Sequence, residues 1–169
     1  MLIPHNGSTE SISRSIPVVL DTIDLQFLPE SGKIIAKSTN NVAFKELNEF
    51  GKPVDVKGYI FDENNKEITT FNSFHDGMGS FKLKAKKDKK YYAKITAPFL
   101  SERKIALPKT YTKGTQFSVK TDSLQTQLKL FSTEQEMLYL EVSNASKKLL
   151  NKSIEPVKST VLILSLIHI

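Results

Sequence analysis

The chain has 169 residues, 39% of them hydrophobic and 25% charged, which is the composition of a globular protein and not of a disordered tail. Lys and Arg exceed Asp and Glu by 24 − 18 = 6, but residues 82–94 alone carry seven Lys against one Asp, so the rest of the chain is neutral. Cysteine is absent, which excludes a disulfide framework, a Cys-ligated zinc or iron–sulfur site and a thiol nucleophile.

The N-terminal stretch MLIPHNGSTE has neither a basic region nor an apolar one, so it does not read as a signal peptide. Residues 1–21, which include Ile16-Pro17-Val18-Val19-Leu20, read as a linker or the exit strand of a preceding domain. From there period-two alternation dominates: Leu25/Phe27, Val42/Phe44, Val54/Val56, Phe81/Leu83/Ala85 against Lys82/Lys84, and Tyr91/Ala93/Ile95 against Tyr92/Lys94. Such alternation puts one set of side chains on a core face and the other in water. Turn signals separate the runs, at Pro29-Glu30-Ser31-Gly32, Gly51-Lys52-Pro53, Asp62-Glu63-Asn64-Asn65 and Asp76-Gly77-Met78-Gly79. The polar stretch Lys86-Lys87-Asp88-Lys89-Lys90 predicts a hairpin that joins the strands on either side of it.

Pro98 and Pro108 bracket a charged cluster, Glu102-Arg103-Lys104, and mark residues 98–108 as a linker. Alternation resumes at Phe117/Val119, Leu128/Leu130 and Leu138/Leu140/Val142; only 143–150 leaves room for a helical turn or two. The pattern predicts an all-β, antiparallel sandwich over residues 22–97 and a partial second β-module over 104–163. The apolar run after Pro156 is shorter than the ~20 residues of a membrane span. Leu164 to Ile169 resemble the translation of a transposase end sequence used in sequencing libraries, so 164–169 are set aside as an artefact of metagenomic assembly, with a truncated core strand as the alternative, and the chain is read as a fragment.

Several strings carry a family likeness: Asn41-Val42-Ala43-Phe44-Lys45, Gly51-Lys52-Pro53-Val54-Asp55-Val56-Lys57-Gly58, His75-Asp76-Gly77-Met78-Gly79-Ser80-Phe81 and Tyr91-Tyr92-Ala93-Lys94-Ile95. Together they resemble a macroglobulin-type (MG2) domain of large surface proteins of Bacteroidetes-like bacteria, relatives of alpha-2-macroglobulin and of TonB-plug-containing proteins. Leu25 to Glu30 is similar to the family's opening strand; Ser31 departs from the pair of glycines usual after it, and Phe50 from a small or polar turn residue. The resemblance implies an immunoglobulin-like sandwich and an extracytoplasmic location, in the periplasm, at the outer membrane or on the cell surface. The thioester of complement-like members requires a Cys, which this chain lacks.

No catalytic, cofactor-binding or metal site is expected. His75-Asp76 lacks the further converging ligands a metal needs, and His75, Asp76, Gly77 and Gly79 read as a turn motif. Asp62 to Glu67 lacks the central Gly and the spaced Glu of a calcium loop and reads as a hairpin turn. Lys82, Lys84, Lys86 and Tyr92 form a weak candidate ligand surface; the strand has no Arg, and alternating Lys serves to keep a strand soluble, so nucleic acid is not expected as a partner. The sequons at Asn6, Asn144 and Asn151 match by chance. The function expected is a non-catalytic structural or interaction module of a bacterial envelope protein, with neighbouring domains of the same chain and other envelope proteins as partners. The alternatives are a module that binds a glycan or an extended peptide by strand addition, and a part of a protease-trapping macroglobulin.

Overall fold

The computed structural model describes residues 2–5, 8–11, 23–123, 125–134, 136–143, 146–155 and 160–165. The stretch Ile16 to Leu20 and residues 166–169 lie outside the described residues, as do the sequon positions Asn6 and Asn144. Among the described residues there is no helix; the chain is all-β, and every strand pairing but one is antiparallel. No helix long and apolar enough to cross a membrane occurs among them.

A hairpin of β1 (Leu2–His5) and β2 (Ser8–Ser11) comes first. The main body follows, with β3 (Ile23–Pro29), β4 (Ile34–Ile35), β5 (Thr39–Asn48), β6 (Lys57–Asp62), β7 (Glu67–His75), β8 (Met78–Lys84), β9 (Tyr91–Ala97) and β10 (Ile105–Ala106). Seven of these eight strands pair in the order β10-β9-β6-β7-β8-β5-β3. The pivot of this sheet is β7. Residues Glu67 to Asn72 pair with β6, whereas Ser73 and His75 pair with β8 across a register shift. Both halves contribute to one core of Ile23, Leu25, Val42, Phe44, Ile60, Phe71, Phe81, Leu83, Tyr91, Ala93 and Ile95, an arrangement consistent with a β-sandwich. Phe44 of one half meets Phe71 of β7 edge to face at 5.2 Å. Val56 is buried as the alternation requires, and Phe27 packs against the core from a half-buried position.

Two expectations change. The Lys86 to Lys90 stretch is not a hairpin turn: β8 pairs with β5 and β7, and β9 pairs with β6 and β10. It carries the chain from one half of the folded sheet to the other, because Ala85 and Tyr91 at its ends both point into the shared core. The Tyr91 hydroxyl accepts the Lys86 N–H at 2.9 Å and closes this crossing. The stretch 143–150 forms no helical turn among its described residues but joins β14 (Leu138–Ser143) to β15 (Lys148–Ile154).

Residues 98–108 run along the first body. Ile105 and Ala106 pair with β9, Leu107 is buried in the core, and Phe99 and Ile105 pack on it. Then β11 (Thr110–Tyr111) lies parallel to β4, whose Ile34 and Ile35 are fully buried. Beyond it, β12 (Thr115–Thr121), β13 (Gln125–Ser132) and β16 (Thr160–Ser165) form a second sheet, in the order β12-β13-β16. Leu164 and Ser165 lie in β16, opposite Thr126 and Gln125. A small second core gathers Leu128, Leu130 and Ile154, with Leu138 and Leu140 against it.

Candidate functional site

The residues singled out in the sequence fall in three separate places. Asp76 and Gly77 form the two-residue connection between β7 and β8, both at positive φ (43° and 68°), the geometry that a tight hairpin demands. His75 Nε2 lies 3.3 Å from Asp76 Oδ2, and both side chains are exposed. Among the described residues no three His, Cys, Asp or Glu side chains gather in a way that holds a metal ion. Gly79 is required by contact: a Cβ there would stand 2.3 Å from Phe44 Cζ and 2.6 Å from the Asn72 carbonyl. Asp62 closes the β6–β7 turn by accepting the N–H groups of Asn64 and Lys66 on its Oδ1 at 2.9 and 3.0 Å.

Lys82, Lys84 and Lys86 are exposed, as their alternation with the buried Phe81, Leu83 and Ala85 dictates. Tyr92 is half-buried on β9, in the other half of the folded sheet, with buried Tyr91 and Ala93 on either side of it. The inward neighbours of the lysines and of Tyr92, among them Phe81, Leu83, Ala85, Tyr91 and Ala93, share one core. The Lys89 ammonium is paired with Glu63, which also accepts the Lys90 N–H, so part of the charge run is neutralised locally.

The most developed polar constellation lies at the junction of the two β-units, and sequence reasoning missed it. The turn Pro29 to Gly32 is closed by the Gly32 N–H donating to the Pro29 carbonyl at 2.8 Å. Its side chains reach the edge of β12 that β13 leaves open. Ser31 Oγ accepts the Phe117 N–H at 2.9 Å and donates to the Phe117 carbonyl at 2.8 Å. Glu30 Oε1 accepts the Val119 N–H at 3.0 Å. The two side chains thus supply the hydrogen bonds of a neighbouring strand and block further pairing at that edge. Nearby, buried Gln116 donates from Nε2 to the Thr39 carbonyl at 2.7 Å, and the Ala36 N–H donates to the Tyr111 carbonyl at 2.8 Å. Lys33 and Lys109 both stand over the Tyr111 ring, at 5.3 and 5.8 Å from its centroid. One signal was available: the turn carries a serine at position 31, whose hydroxyl is both a donor and an acceptor.

A second feature lies within the distal unit. Phe117 and Val119, 41% and 49% exposed, line an open groove of about 580 Å³ together with Leu128, Leu138, Leu140 and Ile154. Leu128 and Ile154 are buried in the second core with Leu138 and Leu140 packed against them, whereas Phe117 and Val119 on β12 stay exposed. Compared with known proteins, the sequence matches no protein-family model and no curated protein.

Proposed function

We propose that this chain is a non-catalytic structural module in which tandem β-units of immunoglobulin-like, macroglobulin type hold other parts of a larger bacterial envelope protein at fixed spacing. The observation that carries this reading is the junction. Glu30 and Ser31 cap the β12 edge, while the β4–β11 backbone pairing and the side-chain bond from Gln116 to the Thr39 carbonyl add ties that a flexible linker lacks. Inter-domain contacts that are few and polar leave domains free to move, so a junction this closely bonded supports a spacer role. The partners are neighbouring domains of the same chain and other envelope proteins, in an extracytoplasmic setting implied by the resemblance. The test is a pair of spin labels, at Lys66 and Glu141. A narrow distance distribution that broadens in the Glu30→Ala/Ser31→Ala double variant supports a rigid spacer. A distribution that is already broad in the parent chain removes that reading.

The open groove favours a second reading, a module that takes up an extended apolar peptide by strand addition. Titration with a peptide of alternating Val and Thr separates the two. Saturable shifts at Phe117, Val119 and Leu140 support peptide binding, and unchanged spectra leave the spacer reading alone.

A further inference from the structure

β5 turns four alternate residues inward, Asn40, Val42, Phe44 and Glu46, and the last of these is an acid with no exposed surface. Glu46 Oε2 accepts a hydrogen bond from Ser73 Oγ at 3.0 Å, and Oε1 is buried with no hydrogen-bond partner among the described residues. Segments from three parts of the chain meet on it. The Ser73 hydroxyl oxygen accepts the Val56 N–H at 3.0 Å, and the Ser73 N–H donates to the Val56 carbonyl at 3.0 Å. These bonds tie the strap 53–56 to β7. The Glu46 N–H donates to the Gly77 carbonyl at 2.9 Å, and Asp55 Oδ1 accepts the Gly77 N–H at 3.0 Å. These tie the β7–β8 turn to both β5 and the strap.

The charges around Glu46 do not favour its ionised form. The strap contributes Asp55, of the same sign, and β3 contributes the apolar Leu25 directly opposite. The turn contributes His75 and Asp76, which are exposed and paired with each other. Lys45, its neighbour on β5, is exposed. A buried carboxylate with one hydroxyl donor and, among the described residues, no cation paired with it is costly, whereas a neutral carboxyl at the same place is less so.

We propose that the Glu46 carboxyl is a proton-operated latch, which when protonated holds the strap 53–56 and the turn 75–78 against the end of β5, and when ionised lets them part from it. Burial, reinforced by the Asp55 charge and opposed by the Ser73 hydrogen bond, pushes Glu46 up from 4.5 to about 7. In the open form the carboxyl meets water and titrates at its ordinary value. The folded, closed form therefore binds more protons between these two values. The opening constant rises by up to about tenfold per pH unit across the window, about 300-fold in all, and levels off above it.

Hydrogen exchange on the full chain tests the latch at the amides of Val56, Ser73 and Gly77. After correction for intrinsic rates, their protection falls steeply from pH 5 to pH 8 in the parent chain and stays level in Glu46→Gln, whose amide cannot ionise. Equal protection at the two pH values in the parent chain overturns the proposal. So does a fall that persists in Glu46→Gln. Should that variant fail to fold, a carbon-13 titration of the Glu46 carboxyl in the parent chain decides: a midpoint near 7, moved down by Asp55→Asn, supports the latch, and an ordinary carboxylate midpoint overturns it.

Discussion

Asn40 and Glu46 sit at opposite ends of the same buried face of β5, and they solve the problem of a buried polar group differently. Asn40 is fully satisfied: Oδ1 accepts the Ile35 N–H at 2.7 Å, and Nδ2 donates to the carbonyls of Ile35, Ser38 and Leu83 at 3.0, 3.2 and 3.2 Å. It replaces the backbone pairing that the tight 35–40 loop cannot make. Asn40→Ala strands those groups in the core, and chemical denaturation is expected to show a loss of about 2–4 kcal/mol. Glu46 is only half satisfied, and its effect depends on pH. Its folded value, raised to about 7 against an ordinary 4.5, means that the folded state holds a proton the unfolded state has already lost. That contribution is complete below 4.5 and is lost as pH climbs through 7. Glu46→Gln is expected to flatten the profile and to exceed the parent chain at pH 8 by up to roughly 3 kcal/mol, read from melts at pH 5 and pH 8. In both residues the two-residue period was visible, because each is in phase with Val42 and Phe44; what each bonds to was not.

Among the elements, the β7–β8 turn and the strand β8 that leaves it set two different limits on substitution. Gly77 adopts φ 68°, and a Cβ there would lie 2.7 Å from the Glu46 carbonyl and 3.0 Å from the Val54 nitrogen. Gly77→Ala therefore combines left-handed backbone strain with a clash against main chain that cannot rotate away, and about 2 kcal/mol or more is expected in thermal or chemical unfolding. The exposed face of β8 tolerates change. Lys82, Lys84 and Lys86 are exposed, so replacing all three with Glu should leave the circular dichroism spectrum and the melt nearly unaltered while changing solubility and its response to salt. Salt-sensitive binding of single-stranded nucleic acid by the parent chain at micromolar affinity, abolished by this triple variant, would instead give the lysines a recognition role.

At the scale of the whole molecule, the stretch 98–108 is part of the first body. Leu107 is buried in its core, and Phe99 and Ile105 pack on it. A chain ending at residue 97 gives up all three, so it is expected to be less stable than one ending at 111 by about 3–5 kcal/mol, measured by urea unfolding of the two fragments. Equal stabilities would show that these side chains rest on the body without contributing to it. The same stretch leads to β11, whose parallel pairing with β4 brings the distal unit to the Glu30–Ser31 turn.

By itself the sequence determined the all-β character and the inward faces of β5, β8 and β9, because side chains alternate across any strand and an apolar set must find cover. It also determined the Asp76-Gly77 turn, because few residue pairs accept positive φ in succession. Tertiary structure alone decided which strands are neighbours. Lys86 to Lys90 has a hairpin's composition, but burying Phe81 and Leu83 against Ile60 and Ile95 requires β8 and β9 to lie in opposite halves of the folded sheet. It also decided that Phe99, Ile105 and Leu107 of the 98–108 linker pack on the first core, and that Glu30 and Ser31 cap a strand almost ninety residues away. Period and turn chemistry are local properties of the chain, whereas pairing partners and buried hydrogen bonds depend on contacts between segments distant in sequence.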